Sequence, residues 1–198
     1  PILMQHNAGN VPGSGSVPFV GENQTMGIGD VLDKTPVRGF ELDLHTFEGE
    51  TVINHGGFFN PLVDEHPKVE DALAPIDEWL SQSKNNDEVV YIMLESYVGN
   101  DGTEDVFSQM ESAFGDKIYT PEDHIDFMNA NGRWPTAEEL TAEGPRVIVI
   151  SNNGGTAGGT AFGQGYILKE FDHTWEDRSP IGLLGEDFHD EIVPKIDT

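Results

Sequence analysis

The stretch Val37-Arg38-Gly39-Phe40-Glu41-Leu42-Asp43-Leu44-His45 constrains this chain more than any other. In a strand, Phe40, Leu42 and Leu44 share one face, and Glu41, Asp43 and His45 share the other. The apolar face predicts a covering layer of helices. The opposite face carries two carboxylates about 7 Å apart between Cα atoms. Like charges on a half-buried strand are costly unless a positive group lies between them. Only 10 of the 198 residues are Lys or Arg, so a bound cation is an attractive counter-charge.

The same imbalance, 36 acidic against 10 basic residues and a net charge of −26, argues against nucleic acid as a partner and against basic docking on anionic membrane. It fits cation binding at many sites, or a solvated acidic surface suited to a salty or calcium-rich medium, the plainer reading for most of these residues. The length and an apolar share of 36% fit one domain over residues 1–198 with a substantial core. With no cysteine in the sequence, disulfides and thiolate metal sites are excluded. No apolar run approaches the roughly 18 residues of a transmembrane span. The expectation for location is secreted or extracellular, with any signal peptide lying outside this sequence.

Strands are predicted over 1–7, 37–45, 51–57, 88–95 and 145–151, the last two as continuous apolar runs typical of a parallel sheet. Helices are predicted from Asn23-Gln24 to Lys34, with Met26, Ile28, Val31 and Leu32 inward, and over 68–83, with Val69, Leu73, Ile76, Trp79 and Leu80 inward. Two more are expected over 105–114 and 135–143, with an irregular insert at 120–135 between them. Residues 8–22 and 152–165 read as loops, 166–168 as a short strand and 183–193 as a helix. Alternating strands and helices predict an α/β fold with a parallel sheet.

Polar, ionisable residues close strand after strand: His6-Asn7, then Glu41, Asp43 and His45, then His55, Glu95 and Ser151. In parallel α/β folds, sites gather at these carboxyl ends. Asn7, Glu41, Asp43 and Glu95 offer only oxygen, the donor set of a hard cation such as Ca²⁺ rather than zinc. His6 and His55 join the same inferred rim, and two histidines flanking a cation suit cleavage of a phosphodiester. Arg38 is expected to be structural. His45 reads equally as a support for the site or as structural, and His66, His124, His173 and His189 as surface residues. The glycines of 152–159 lack the Lys of a phosphate-binding P-loop, so a plain loop is the expectation there.

His6-Asn7, Asn23-Gln24 with Ile28 and Leu32, Val37 to Asp43, Asn54-His55-Gly56 and Leu94-Glu95 follow one another in an order that resembles the X region of phosphatidylinositol-specific phospholipase C and the wider phospholipase-C-like phosphodiesterases. Trp134-Pro135-Thr136 through Ile150 resembles the family's approach to its fifth strand. The likeness covers residues 1–151 and leaves 152–198 unmatched. It implies a TIM-type (β/α) barrel, incomplete or irregular in its C-terminal part, since a full barrel needs eight strands and about 250 residues. It implies His6 and His55 as the catalytic pair and Ca²⁺ held by Asn7, Glu41, Asp43 and Glu95. Asp43 stands where metal-independent relatives carry Arg, which implies the metal-dependent type.

The implied substrate is a phospholipid or small phosphodiester of inositol or glycerol type, met in solution or by transient contact with a membrane surface. The region after the fifth strand, Ser151-Asn152-Asn153, lacks the lysines that relatives use on polyphosphorylated headgroups. Two alternatives stand beside this enzyme: a calcium-binding module of a larger acidic protein with little or no catalysis, and a glycerophosphodiesterase. The usual Arg-Gly of the latter is replaced by Asn7-Ala8 after His6.

Overall fold

The computed structural model describes residues 4–5, 26–54, 67–151 and 168–169. The alternating stretch forms the central strand β2 (Gly39–Phe47). Strand β4 (Val90–Ser96) lies parallel to it, from Tyr91 opposite Gly39 to Ser96 opposite Leu44. On the other edge of β2, β1 (Met4–Gln5) pairs in parallel with Gly39–Phe40, and β3 (Glu50–Ile53) pairs antiparallel with Leu44–Phe47. Beyond β4 come β5 (Val147–Ser151) and β6 (Leu168–Lys169), both parallel.

The expected TIM-type (β/α) barrel is corrected by this topology. Among the described residues the sheet is open and mixed, ordered β1-β2-β4-β5-β6 with β3 beside β2, and no pairing joins its two outer edges. One reason is local. Glu48 and Gly49 both have positive φ, 50° and 87°, so they form a two-residue turn whose twist suits an antiparallel hairpin. The chain therefore doubles back after β2 where a barrel calls for a crossover helix and a parallel strand. The other reason is packing. Tyr119, Leu140 and Trp134 cover Ile148, Ile150 and Tyr91 on the second face of the sheet.

The first face is covered by helices α1 (Ile28–Lys34), α2 (Val69–Leu80) and α3 (Asn100–Phe114). They bury Phe40, Leu42, Leu44, Ile92, Leu94, Val147 and Val149 in one core. All five apolar positions expected for α2 are buried. Gly102 lets α3 close on the hairpin, because a Cβ there would lie 2.8 Å from Val98 Cβ and 3.1 Å from Thr51 Oγ1. Helix α3 starts well before the expected Asp105. Helix α4 (Pro121–Asn131) stands in place of the expected irregular insert, and α5 (Ala137–Glu143) is as expected. The expected features at 8–22, 152–165 and 183–193 lie outside the described residues.

Arg38, at the amino end of β2, is part of the scaffold. Its Nε and Nη2 donate to Glu88 at 2.8 and 3.0 Å, and Nη1 donates to the carbonyls of Leu32, Thr35 and Val37. The guanidinium also lies 4.6 Å from the centre of the Trp79 ring. It thus satisfies carbonyls at the end of α1 while tying α1 to the segment that leads into β4. The hydrogen bond from Arg38 holds Glu88 below the usual carboxylate range. A depressed carboxylate contributes stability above its unfolded pKa and loses it as pH falls through the lower folded value. Arg38→Ala is expected to cost about 2 kcal/mol at neutral pH in chemical denaturation. Glu88→Gln should flatten the loss of stability on the acid side of the ordinary carboxylate range, and an unchanged acid limb would contradict the pairing.

Candidate metal centre at the carboxyl ends of β2 and β4

The register of β2 on β4 sets the site. Asp43 lies directly opposite Glu95, and Glu41 precedes Asp43 by one pleat on the same face. One carboxylate oxygen from each of Glu41, Asp43 and Glu95 lies within 4.8 Å of the others. Two oxygens each about 2.4 Å from one calcium ion can be at most about 4.8 Å apart. The three side chains therefore fit a single hard cation, with room for further oxygens. Asp43 is buried at 2% exposure, whereas Glu41 and Glu95 are half-buried.

Local sequence explains why the carboxylates stay where they are. Phe40, Leu42 and Leu44 are fully buried on the opposite face, so a one-residue slip would bury the acids among the helices. On the acidic face, Met93 lies opposite Glu41 and Ile150 opposite Met93, and Tyr91 and Ile148 continue an apolar floor toward the amino ends of the strands. Such surroundings strengthen electrostatic interactions within the site. Seven positive side chains of the described residues are engaged elsewhere. Lys34, Arg38, Lys68, Lys84, Lys117 and Arg133 pair with Asp30, Glu88, Glu50, Asp33, Asp77 and Glu139, and Arg146 donates to the carbonyls of Leu80 and Asn85.

Three neighbours of the triad lie outside the ligand set expected from sequence, His45 among them as either a support for the site or structural. The Tyr97 hydroxyl donates to Glu95 Oε1. That bond, burial and the nearby carboxylates push the phenol up to about 12, so it stays a proton donor at neutral pH. His45 stacks on the Tyr97 ring at 4.7 Å between centres and 12° between planes. Asn54 continues the hairpin beyond β3, donating its backbone N–H to the Asp43 carbonyl at 2.9 Å. Its Nδ2 is buried and has no hydrogen-bond partner among the described residues, so an oxygen of a bound group would recover the cost of burying that donor. An i, i+2 spacing from Glu95 marks Tyr97 in the sequence, but the pairing of Asn54 with Asp43 depends on the hairpin.

Of the residues singled out from sequence, Glu41, Asp43 and Glu95 come together. His6, Asn7 and His55 lie outside the described residues, as do His66, His173 and His189. His124 corrects an expectation. It is buried at 6% exposure, not on the surface, and packs against Tyr119 and Trp134. Ser151 closes β5, with its hydroxyl donating to the Leu94 carbonyl at 3.2 Å.

The PI-PLC X family model matches residues 6–192, and the chain belongs to that family. No curated protein sequence matches it. Among solved structures, a calcium-dependent phosphoinositol-specific phospholipase C from a Pseudomonas species, in its myo-inositol complex, aligns with a TM-score of 0.51 and 18% identity, covering 71% of this chain and 59% of that one. An apo crystal form of the Pseudomonas enzyme gives 0.47 and 19%, with 71% and 58% covered. The chain thus spans under two thirds of the length of these structures, and the likeness is one of fold.

Three carboxylates this close repel one another when no cation lies between them. In EDTA, Asp43→Asn is therefore expected to raise the melting temperature by about 2–4 °C, or about 1 kcal/mol. Adding a divalent cation should stabilise the parent protein and leave the variant nearly unmoved. A variant that melts lower in EDTA would show that the triad is not under electrostatic strain.

Proposed function

We propose that the chain is a calcium-dependent phospholipase-C-like phosphodiesterase, acting through a single domain over residues 1–198. The observation that carries this reading is the triad Glu41, Asp43 and Glu95, fitted to one hard cation in a member of the PI-PLC X family. The calcium dependence named for the Pseudomonas enzyme supports the choice of ion. In this reading Asn7 joins the triad as the fourth protein ligand. Bound calcium would lower the pKa of an attacking hydroxyl and balance charge on the phosphoryl oxygens.

His6 and His55 form the acid–base pair. In sequence, His6 follows the last residue of β1 and His55 follows Asn54. Both chain neighbours flank β2: Gln5 opposite Phe40, and Asn54 bonded to Asp43. One imidazole takes the proton from the substrate hydroxyl beside the phosphate as its oxygen bonds to phosphorus. The other gives a proton to the leaving oxygen as its bond to phosphorus breaks. The product is a cyclic phosphodiester, which water can later open.

The substrate class is a phospholipid or small phosphodiester of inositol or glycerol type. The acidic balance of 36 to 10 suits a secreted or extracellular protein in a calcium-rich medium, where transient contact with a membrane surface is the mode of access. No helix among the described residues is long and apolar enough to cross a membrane.

The test is release of headgroup product from phosphatidylinositol, lysophospholipid and glycerophosphodiesters with calcium or with EDTA. Activity should require calcium, and His6→Ala and His55→Ala should each lower turnover at least about 100-fold. Equal activity in EDTA would overturn the calcium role. Undiminished turnover in His55→Ala would remove its place in the acid–base pair. Calcium binding without turnover of any of these substrates would identify a binding module instead.

A further inference from the structure

The geometry points to Tyr97 as a positioning residue for the cation site: its hydroxyl fixes the Glu95 carboxylate, and His45 fixes the Tyr97 ring. This rests on the calcium-site reading above and extends it to two side chains outside the ligand set.

Tyr97 lies just beyond β4, yet its backbone N–H donates to the Leu44 carbonyl at 2.9 Å. The ladder with β2 therefore continues past Ser96, and Tyr97 falls on the same face as Glu95, one pleat further out. His45 occupies the matching position on β2, one pleat beyond Asp43. The two rings stack nearly parallel, 4.7 Å between centres. From that stacked position the Tyr97 hydroxyl reaches back to Glu95 Oε1.

Burial does not explain this arrangement. Tyr97 is 58% exposed, one of two large apolar or aromatic side chains this open among the described residues. An exposed ring held by a stack and a hydrogen bond contributes little to the core. What it does fix is a carboxylate. Glu95 has three side-chain torsions to restrain, and the Tyr97 bond restrains them where a Glu95 carboxylate oxygen lies within 4.8 Å of oxygens of Glu41 and Asp43. Hydrogen bonds of this kind orient ligand side chains before an ion arrives, and their loss typically costs about 10–100-fold in ion affinity. The Tyr97 hydroxyl donates and the carboxylate accepts, so the bond is made in the charged form that a cation requires.

Calcium titration calorimetry on the full chain tests this, with folding checked by the melting temperature in EDTA. Tyr97→Phe keeps the ring and its stack but removes the hydroxyl. It should weaken calcium binding about tenfold with an unchanged melting temperature in EDTA. His45→Ala, which keeps the hydroxyl and removes the stack, should weaken it by a smaller factor. Adding Tyr97→Phe to Glu95→Gln should change affinity less than about twofold, because the tyrosine then has no carboxylate to position. A residue that acted only on overall structure would show the same loss in both backgrounds, and that result would overturn the inference. So would parent-like calcium affinity in Tyr97→Phe. If Glu95→Gln and Asp43→Asn themselves bind calcium as the parent does, it is the calcium-site reading that fails. Turnover gives an independent check: the defect of Tyr97→Phe at limiting calcium should disappear at saturating calcium, and a defect that persists would contradict a role exerted through the ion.

Discussion

The pairing of β2 with β4 is the interaction on which the rest depends. Six consecutive residue pairs, Gly39–Tyr91 to Leu44–Ser96, lock the two strands in parallel. The lock comes from the apolar side, where Phe40, Leu42, Leu44, Ile92 and Leu94 sit under α1, α2 and α3. The polar side inherits whatever that register dictates. It sets Asp43 beside Glu95, an arrangement that is unfavourable by itself. Stability of the core and repulsion in the site are thus two faces of the same strand pair. The large apolar area buried on one face is what can sustain a few like charges on the other.

The same logic organises the site in rows. Glu41, Met93 and Ile150 form the lowest, with the apolar floor of Tyr91 and Ile148 beneath it. Asp43 and Glu95 form the next, and His45 and Tyr97 the outermost. Polarity rises along the strand direction, from the apolar floor to the exposed Tyr97 ring, with Asp43 the most buried of the three carboxylates. A small cation held between the first two rows would be shielded from below and reachable from above. The carboxyl ends of the strands are the side on which parallel sheets present their ligands.

Much of this was legible in residue order because it is written in short-range patterns. The period-2 alternation of residues 37–45 names the two faces of β2, and the spacing of Val69, Leu73, Ile76, Trp79 and Leu80 names the inner side of α2. Glu95 at the end of a long apolar run could scarcely be an ordinary surface residue. Helix α4 escaped the same reading because it lacks an apolar stripe: it buries His124 and leaves Ile125 58% exposed. Its signal was in the capping chemistry instead. Thr120 caps the helix, Pro121 opens it and Asp123 bonds back to Thr120. Asn54 stood in the Asn54-His55-Gly56 motif without a role of its own, since its place beside Asp43 arises only when the Glu48-Gly49 turn reverses the chain.

Residue order alone therefore indicated the α/β character, the acidic face of the central strand and the oxygen-donor carboxylates at the strand ends, because each follows from local periodicity or donor type; the register of β2 on β4 then brought Glu41, Asp43 and Glu95 together. Tertiary structure alone decided how the sheet is bounded and which side chains stand around those carboxylates. Strand direction after β2 depended on two positive-φ residues, and coverage of the second face depended on Tyr119, Trp134 and Leu140 arriving from a distant segment. The His45–Tyr97 stack depended on register between strands some fifty residues apart in the chain. Contacts of that range are chosen by competition among whole packings rather than by any local pattern.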